Sequence, residues 1–132
     1  MTIIDKIAYI HLVDGKVLCT RSKGKDVYYS PGGKREGNET DLESLVREIK
    51  EELSVDIIPE TVQKYGVFEA QADGKAADVI VKMTCYTAEF TGNLRANSEI
   101  AEIAWLGAND TDKISQAGKL IFNDLQSKGL LS

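Results

Sequence analysis

The residues best equipped for chemistry in this 132-residue chain are three glutamates in one short run, Glu48, Glu51 and Glu52. On a helix turning about 100° per residue they share an arc of about 100°. That arc adjoins the one holding Leu42, Leu45, Val46, Ile49 and Leu53, with Glu52 nearest the apolar edge. The carboxylates therefore project from the rim of the buried face into whatever cleft borders it. Helix electrostatics opposes this arrangement. Glu48 and Glu52 are four apart, where like charges repel. Neither has a basic residue three or four positions away, and only Glu51 has one, Arg47. Glu51 and Glu52 also sit in the last turn, where the helix dipole disfavours anions. A charge run is ordinarily a solvated face, but a bound cation better explains charges opposed from several directions. All-carboxylate ligation favours hard ions, Mg²⁺ or Mn²⁺.

The helix carrying these groups needs a start and a sheet to lie on. Thr40 followed by Glu43 is a capping box, so the helix should begin near Thr40. Before it, residues 3–13 read as a strand, Asp14-Gly15 as a turn and residues 16–21 as the returning strand of a hairpin. Residues 22–26 read as a loop, 27–30 as a short strand stopped by Pro31-Gly32-Gly33, and 33–39 as a glycine-rich loop. After it, residues 55–58 are a short extended piece. Residues 62–70 and 78–90 read as strands joined by a turn at Asp73-Gly74, and 100–106 as a further strand. Ile114, Ala117, Leu120, Ile121 and Leu125 have helical spacing. Helices interleaved with strands indicate an α/β fold, a mixed sheet covered by helices on both sides (α/β/α).

Length and composition narrow the class. The chain fits a single domain, 1–132. It has no apolar run of membrane-spanning length, and Asp5 and Lys6 interrupt its apolar start, so neither a membrane nor a signal peptide is expected and a cytoplasmic location is. Cys19 and Cys85 read as buried reduced thiols, and His11, the only histidine, as a strand residue facing solvent. The net charge of −5 argues against long nucleic acid. It is also an uneven average. Residues 36–60 carry nine acidic and two basic side chains, whereas residues 21–35 carry five basic and one acidic. A cation-holding helix thus follows directly on a basic segment able to receive phosphates.

The segment from Gly33 to Val55, GKREGNETDLESLVREIKEELSV, resembles the Nudix box, G-x5-E-x7-R-E-U-x-E-E-x-G-U with U aliphatic. Gly33, Glu39, Arg47, Glu48, Ile49, Glu51, Glu52 and Val55 match, and Ser54 stands where the pattern has its second glycine. The order of elements around the box is also similar to a small MutT-type Nudix fold. The resemblance implies that Glu48, Glu51 and Glu52 bind the metal, that the Gly33 carbonyl is a further ligand, and that Glu39 and Arg47 brace the loop against the helix. It implies hydrolysis of a nucleoside diphosphate linked to a further group. Cations suit that chemistry because they neutralise phosphate oxygens and lower the pKa of the attacking water.

Similar enzymes use one more glutamate late in the chain as base or ligand. Glu99 lies six residues before Trp105, the MutT-type spacing, and Glu102 is the alternative. Glu51, Glu52 and Glu99 are the catalytic candidates. Arg21 and Lys34 are candidates for phosphate, and Tyr28, Tyr29 and Trp105 for stacking a base. Tyr28 and Tyr29 are strand neighbours, so only one can face the cleft; Lys23 and Lys25 read as solvated loop lysines. Markers of other Nudix groups are absent, which leaves a small-nucleotide pyrophosphohydrolase acting on a (deoxy)nucleoside triphosphate, as a monomer or homodimer. A silent nucleotide-binding module, or an enzyme of nucleotide sugars or dinucleoside polyphosphates, stays open.

Overall fold

The computed structural model describes residues 2–72 and 75–132; the expected turn at Asp73-Gly74 lies outside them. Among the described residues, nine strands and two α-helices follow in order: β1 (Thr2–Ile10), β2 (Leu12–Val13), β3 (Lys16–Ser22), β4 (Gly32–Lys34), α1 (Asp41–Leu53), β5 (Asp56–Ile57), β6 (Gln63–Gln71), β7 (Val79–Thr87), β8 (Phe90–Thr91), β9 (Ile100–Leu106) and α2 (Gln116–Ser127). Among the described residues no helix is long and apolar enough to cross a membrane.

The larger sheet runs β4-β1-β7-β6 and is mixed: β1 lies parallel to β7, while β4 and β6 pair antiparallel at its edges. A second sheet runs β2-β3-β9, and β5 pairs with β8. The run Ile7-Ala8-Tyr9-Ile10 is buried throughout, as expected of a strand covered on both faces. Its odd residues pack with Leu18 and with Leu45, Ile49 and Leu53 of α1. Its even residues pack with Val17, Cys19 and Cys85 and with Ala117, Ile121, Phe122 and Leu125 of α2. One helix on each side of the strands is the α/β/α arrangement read from the pattern. Both cysteines are buried, and desolvation pushes each thiol up to about 12.

Four local readings need correction. The hairpin is only two pairs long, Leu12↔Val17 and Val13↔Lys16, because the chain leaves the first sheet at His11 and β1 pairs with β4 and β7 instead. His11 is half-buried at that break, its ring 5.0 Å from Phe90 and 6.1 Å from Trp105. Residues 27–30 make only two isolated bridges, at Tyr28 and Tyr29. Gly32–Lys34, read as the start of a loop, is a strand. Gly32 has φ +140°, and a Cβ there would lie 2.0 Å from the Ile7 carbonyl oxygen. Gly32 is what lets this edge strand close on β1.

Candidate active site

Helix α1 opens as its capping box requires. The Thr40 side chain accepts from the Glu43 N–H at 3.1 Å, and Glu43 accepts from the Thr40 N–H at 2.8 Å. It closes on Ser54, held left-handed at φ 65° where the box has glycine. Its orphan carbonyls are taken up by a distant loop: Arg95 N–H donates to the Leu53 carbonyl at 2.9 Å and Asn97 N–H to the Glu52 carbonyl at 3.0 Å. That loop leads directly into Glu99, so the backbone of the last helical turn places Glu99 relative to Glu52.

Arg47 sits at the centre of the box. Its guanidinium donates to both oxygens of Glu39 at 2.7 and 2.9 Å, to the Lys34 carbonyl at 3.1 Å and to Glu48 Oε1 at 2.9 Å, with Glu51 farther off at 3.4 Å. Glu39 also accepts from the Glu36 N–H and the Ser44 hydroxyl. These bonds, Arg47 first, hold the Glu39 carboxyl down near about 2. A bidentate, charge-assisted brace of this kind fixes geometry as well as charge.

Beside the brace lies a cleft of about 440 Å³, lined by both larger sheets, the last turns of α1 and the start of α2. Glu48, Glu52 and Glu99 line it, with Gly32, Gly33 and Lys34. Glu52 is 7% exposed and accepts the Gly32 N–H at 3.0 Å. Burial, with Glu48 and Glu99 nearby, pushes its carboxyl up to about 8 against the pull of that hydrogen bond. Glu48 is raised too, burial outweighing the nearby Arg47. A Cβ on Gly33 would stand 2.5 Å from Glu48 Oε2, so the glycine lets this strand lie against the carboxylate. Among the described residues no three acidic side chains meet at one point, since Glu48 and Glu51 lean to Arg47 and Glu52 to Gly32. The donor set still fits a hard divalent cation. It is all oxygen, and its innermost carboxylate, Glu52, is buried and makes no ion pair among the described residues.

The structure separates the two late glutamates. Glu102 is opposite Arg21 across β3 and β9 and accepts from its Nε at 2.8 Å, away from the box, whereas Glu99 lines the cleft. The same pairing takes Arg21 out of the lining. Thr20 and Ser22 on either side of it line the cleft, and Arg21 turns to Glu102 and the Lys25 carbonyl. Of the neighbouring tyrosines, Tyr29 lines the cleft and Tyr28 does not, as alternation along the chain requires. Trp105, 41% exposed, pairs with Leu18 and packs near His11, outside the cleft. Glu51 is half exposed beside Arg47 and is likewise not in the lining. Lys6, Lys25 and Lys75, which the sequence reading did not place here, do line it. Lys6 escaped notice because β1 reads as a buried strand, and only its register with Lys34 on β4 reveals where it points.

A mixed sheet between two helices, with a braced acidic helix bordering a cleft, is the arrangement of a Nudix protein. The NUDIX domain model matches residues 5–124, and the chain belongs to that family. It is 25% identical to an uncharacterized Nudix hydrolase, YvcI, of Bacillus subtilis, over 99% of this chain and 85% of that one. A shorter stretch of 42 residues, 32% of this chain and 23% of the other, is 48% identical to an RNA pyrophosphohydrolase of Halorhodospira halophila. Among solved structures it resembles a MutT NUDIX hydrolase from Burkholderia pseudomallei, with TM-score 0.75 and 20% identity over 93% of this chain and 98% of that one.

Proposed function

We propose that the protein is a divalent-metal-dependent pyrophosphohydrolase that cleaves the diphosphate linkage of a (deoxy)nucleoside triphosphate, giving the monophosphate and pyrophosphate. The observation that carries this reading is the gathering of Glu48, Glu52 and Glu99 in one cleft with lysines around them. Similarity to a pyrophosphohydrolase over the short matched stretch supports the reaction class. Glu48, Glu51 and Glu52, with the Gly33 carbonyl, are the groups that would hold Mg²⁺ or Mn²⁺. Glu48 and Glu51 join by turning from Arg47. A cation bound there neutralises phosphate oxygens and acidifies the attacking water.

The remaining work falls to the chain itself. Glu99, on its backbone-anchored loop, is the base that takes the proton from water as the water adds to phosphorus and the anhydride P–O bond breaks, its electron pair leaving on the departing phosphate oxygen. Glu52 accepts the Gly32 N–H and so ties its own position to the strand beneath the substrate. Lys34 faces the phosphate chain. The test is a panel of nucleoside triphosphates, nucleotide sugars and dinucleoside polyphosphates with Mg²⁺ or Mn²⁺, products identified, run beside Glu52→Gln. Metal-dependent release of pyrophosphate, lost by at least 10²-fold in the variant with its fold retained, is the expected result. Nucleotide binding with no turnover of any compound would sink the proposal in favour of a sensor.

A further inference from the structure

Lys6, Lys25 and Lys34 reach the cleft from three separate elements: strand β1, the loop after β3, and strand β4. Lys6 and Lys34 are direct cross-strand partners. Their side chains leave the same face of the sheet, with Cβ atoms about 5 Å apart, where like charges oppose strand pairing. Among the described residues, ion pairs engage Arg21, Arg35, Arg47, Lys50, Lys113 and Lys128, and none of the four lysines that line the cleft, Lys75 being the fourth. Lys6 is also partly buried, and burial together with Lys34 draws its ammonium below the usual lysine value. Its other charged neighbours are Glu52, Glu48 and Lys25. A surface lysine free to move would leave such company. Lysines held there without an ion pair form a site for a group of high negative charge in the cleft that the carboxylates share.

We propose that Lys6, with Lys25 and Lys34, holds the stretch of phosphate chain that extends beyond the carboxylate cluster, and thereby selects triphosphates over diphosphates capped by a neutral group. The proposal rests on the hydrolase reading and deepens it. The carboxylates Glu48, Glu51, Glu52 and Glu99 consume the charge of any cations bound among them. The ammonium groups of the cleft then remain to balance the substrate. A diphosphate ester with a sugar on its far side brings about two negative charges and places a neutral group where the lysines stand. A triphosphate brings about four and places its terminal phosphate there. Strong charge complementarity in a partly desolvated cleft discriminates between the two. Lys25 has the local pattern of a solvated loop lysine and Lys6 that of a strand residue; the fold brings both into the cleft with Lys34.

The test compares wild type, Lys6→Met and Lys6→Arg. Methionine keeps an unbranched stem and removes the charge. Three quantities are measured: kcat/KM for a nucleoside triphosphate and for a nucleotide sugar of the same base, calorimetric affinity for inorganic tripolyphosphate and pyrophosphate with saturating Mg²⁺, and melting temperature. Lys6→Met should lose at least tenfold more kcat/KM on the triphosphate than on the nucleotide sugar, and at least tenfold in tripolyphosphate affinity. Lys6→Arg should recover part of each. The melting temperature should not fall, because a repelled charge has been removed. Equal losses on both substrates with a lower melting temperature mark a structural role and overturn the proposal, as does unchanged tripolyphosphate binding in an active enzyme. If wild type cleaves nothing yet binds tripolyphosphate through Lys6, the hydrolase reading fails and the lysine assignment stands.

Discussion

Single side chains divide the labour of the cleft in a way the amino-acid pattern left open. Glu99 and Glu102 sit three apart near Trp105, and spacing alone does not choose between them. The fold separates their positions: Arg21 engages Glu102 at 2.8 Å, whereas backbone bonds from Arg95 and Asn97 to the end of α1 precede Glu99, which lines the cleft. Glu99→Gln is therefore expected to lower kcat by at least 10²-fold, the usual cost of removing a general base, while Glu102→Gln changes kcat by less than about threefold and acts on stability. Steady-state kinetics on one triphosphate decide it, and the reverse order would reassign the base. A second residue-level expectation concerns Gly33. Its Cβ position is occupied by Glu48, so Gly33→Ala must push the carboxylate or the strand aside. The variant should weaken Mn²⁺ binding by at least tenfold, read by calorimetry, while circular dichroism stays that of the wild type.

Elements with strong local signals were legible from the chain alone. The capping box set the start of α1 to the residue, because two reciprocal hydrogen bonds need only Thr40 and Glu43. β9 falls on residues 100–106 as read. What was not legible depends on partners far away in sequence. β4 has only three residues, two of them glycines, and becomes a strand because β1 offers it a ladder. The hairpin shrinks to two pairs because β7, not β3, is the better partner for a doubly buried β1. The lysine set is invisible until β1 and β4 are in register. Ser54 shows the opposite case, a departure read from sequence whose cost the structure makes concrete: a non-glycine residue at φ 65°. The left-handed conformation costs about 1–2 kcal/mol, partly offset by the entropy glycine loses on folding. Ser54→Gly should raise stability by about 0.5–1 kcal/mol, or about 3 °C in melting temperature, without altering kcat. No gain would mean that the Ser54 N–H bond to Lys50 already relaxes the turn.

For the molecule as a whole, the acidity concentrated on one helix should make folding stability depend on pH and, on the proposed function, on a divalent metal as well. The Glu52 carboxyl lies at about 8 in the fold and at 4.5 when unfolded. Between those values the folded chain holds a proton that the unfolded chain has released. The contribution of Glu52 is therefore fully present below about pH 4.5 and is lost progressively as pH rises toward 8. Glu39 runs the other way. Arg47 depresses it to about 2, so its contribution is present above 4.5 and disappears only in strong acid. Without divalent metal, urea unfolding should thus show wild type losing stability from pH 5 to pH 8 relative to Glu52→Gln, which carries no proton to release. The variant should be the more stable protein at pH 8. A cation that binds only the folded carboxylate reverses this order, adding about 2.7 kcal/mol at a hundredfold excess over its Kd. The increment should grow with pH, because the ion competes with the proton on Glu52. Parallel pH profiles for the two proteins would show that Glu52 is already ionised in the fold, and that the cost of burying it is met by Lys6 and the Gly32 N–H rather than by a metal.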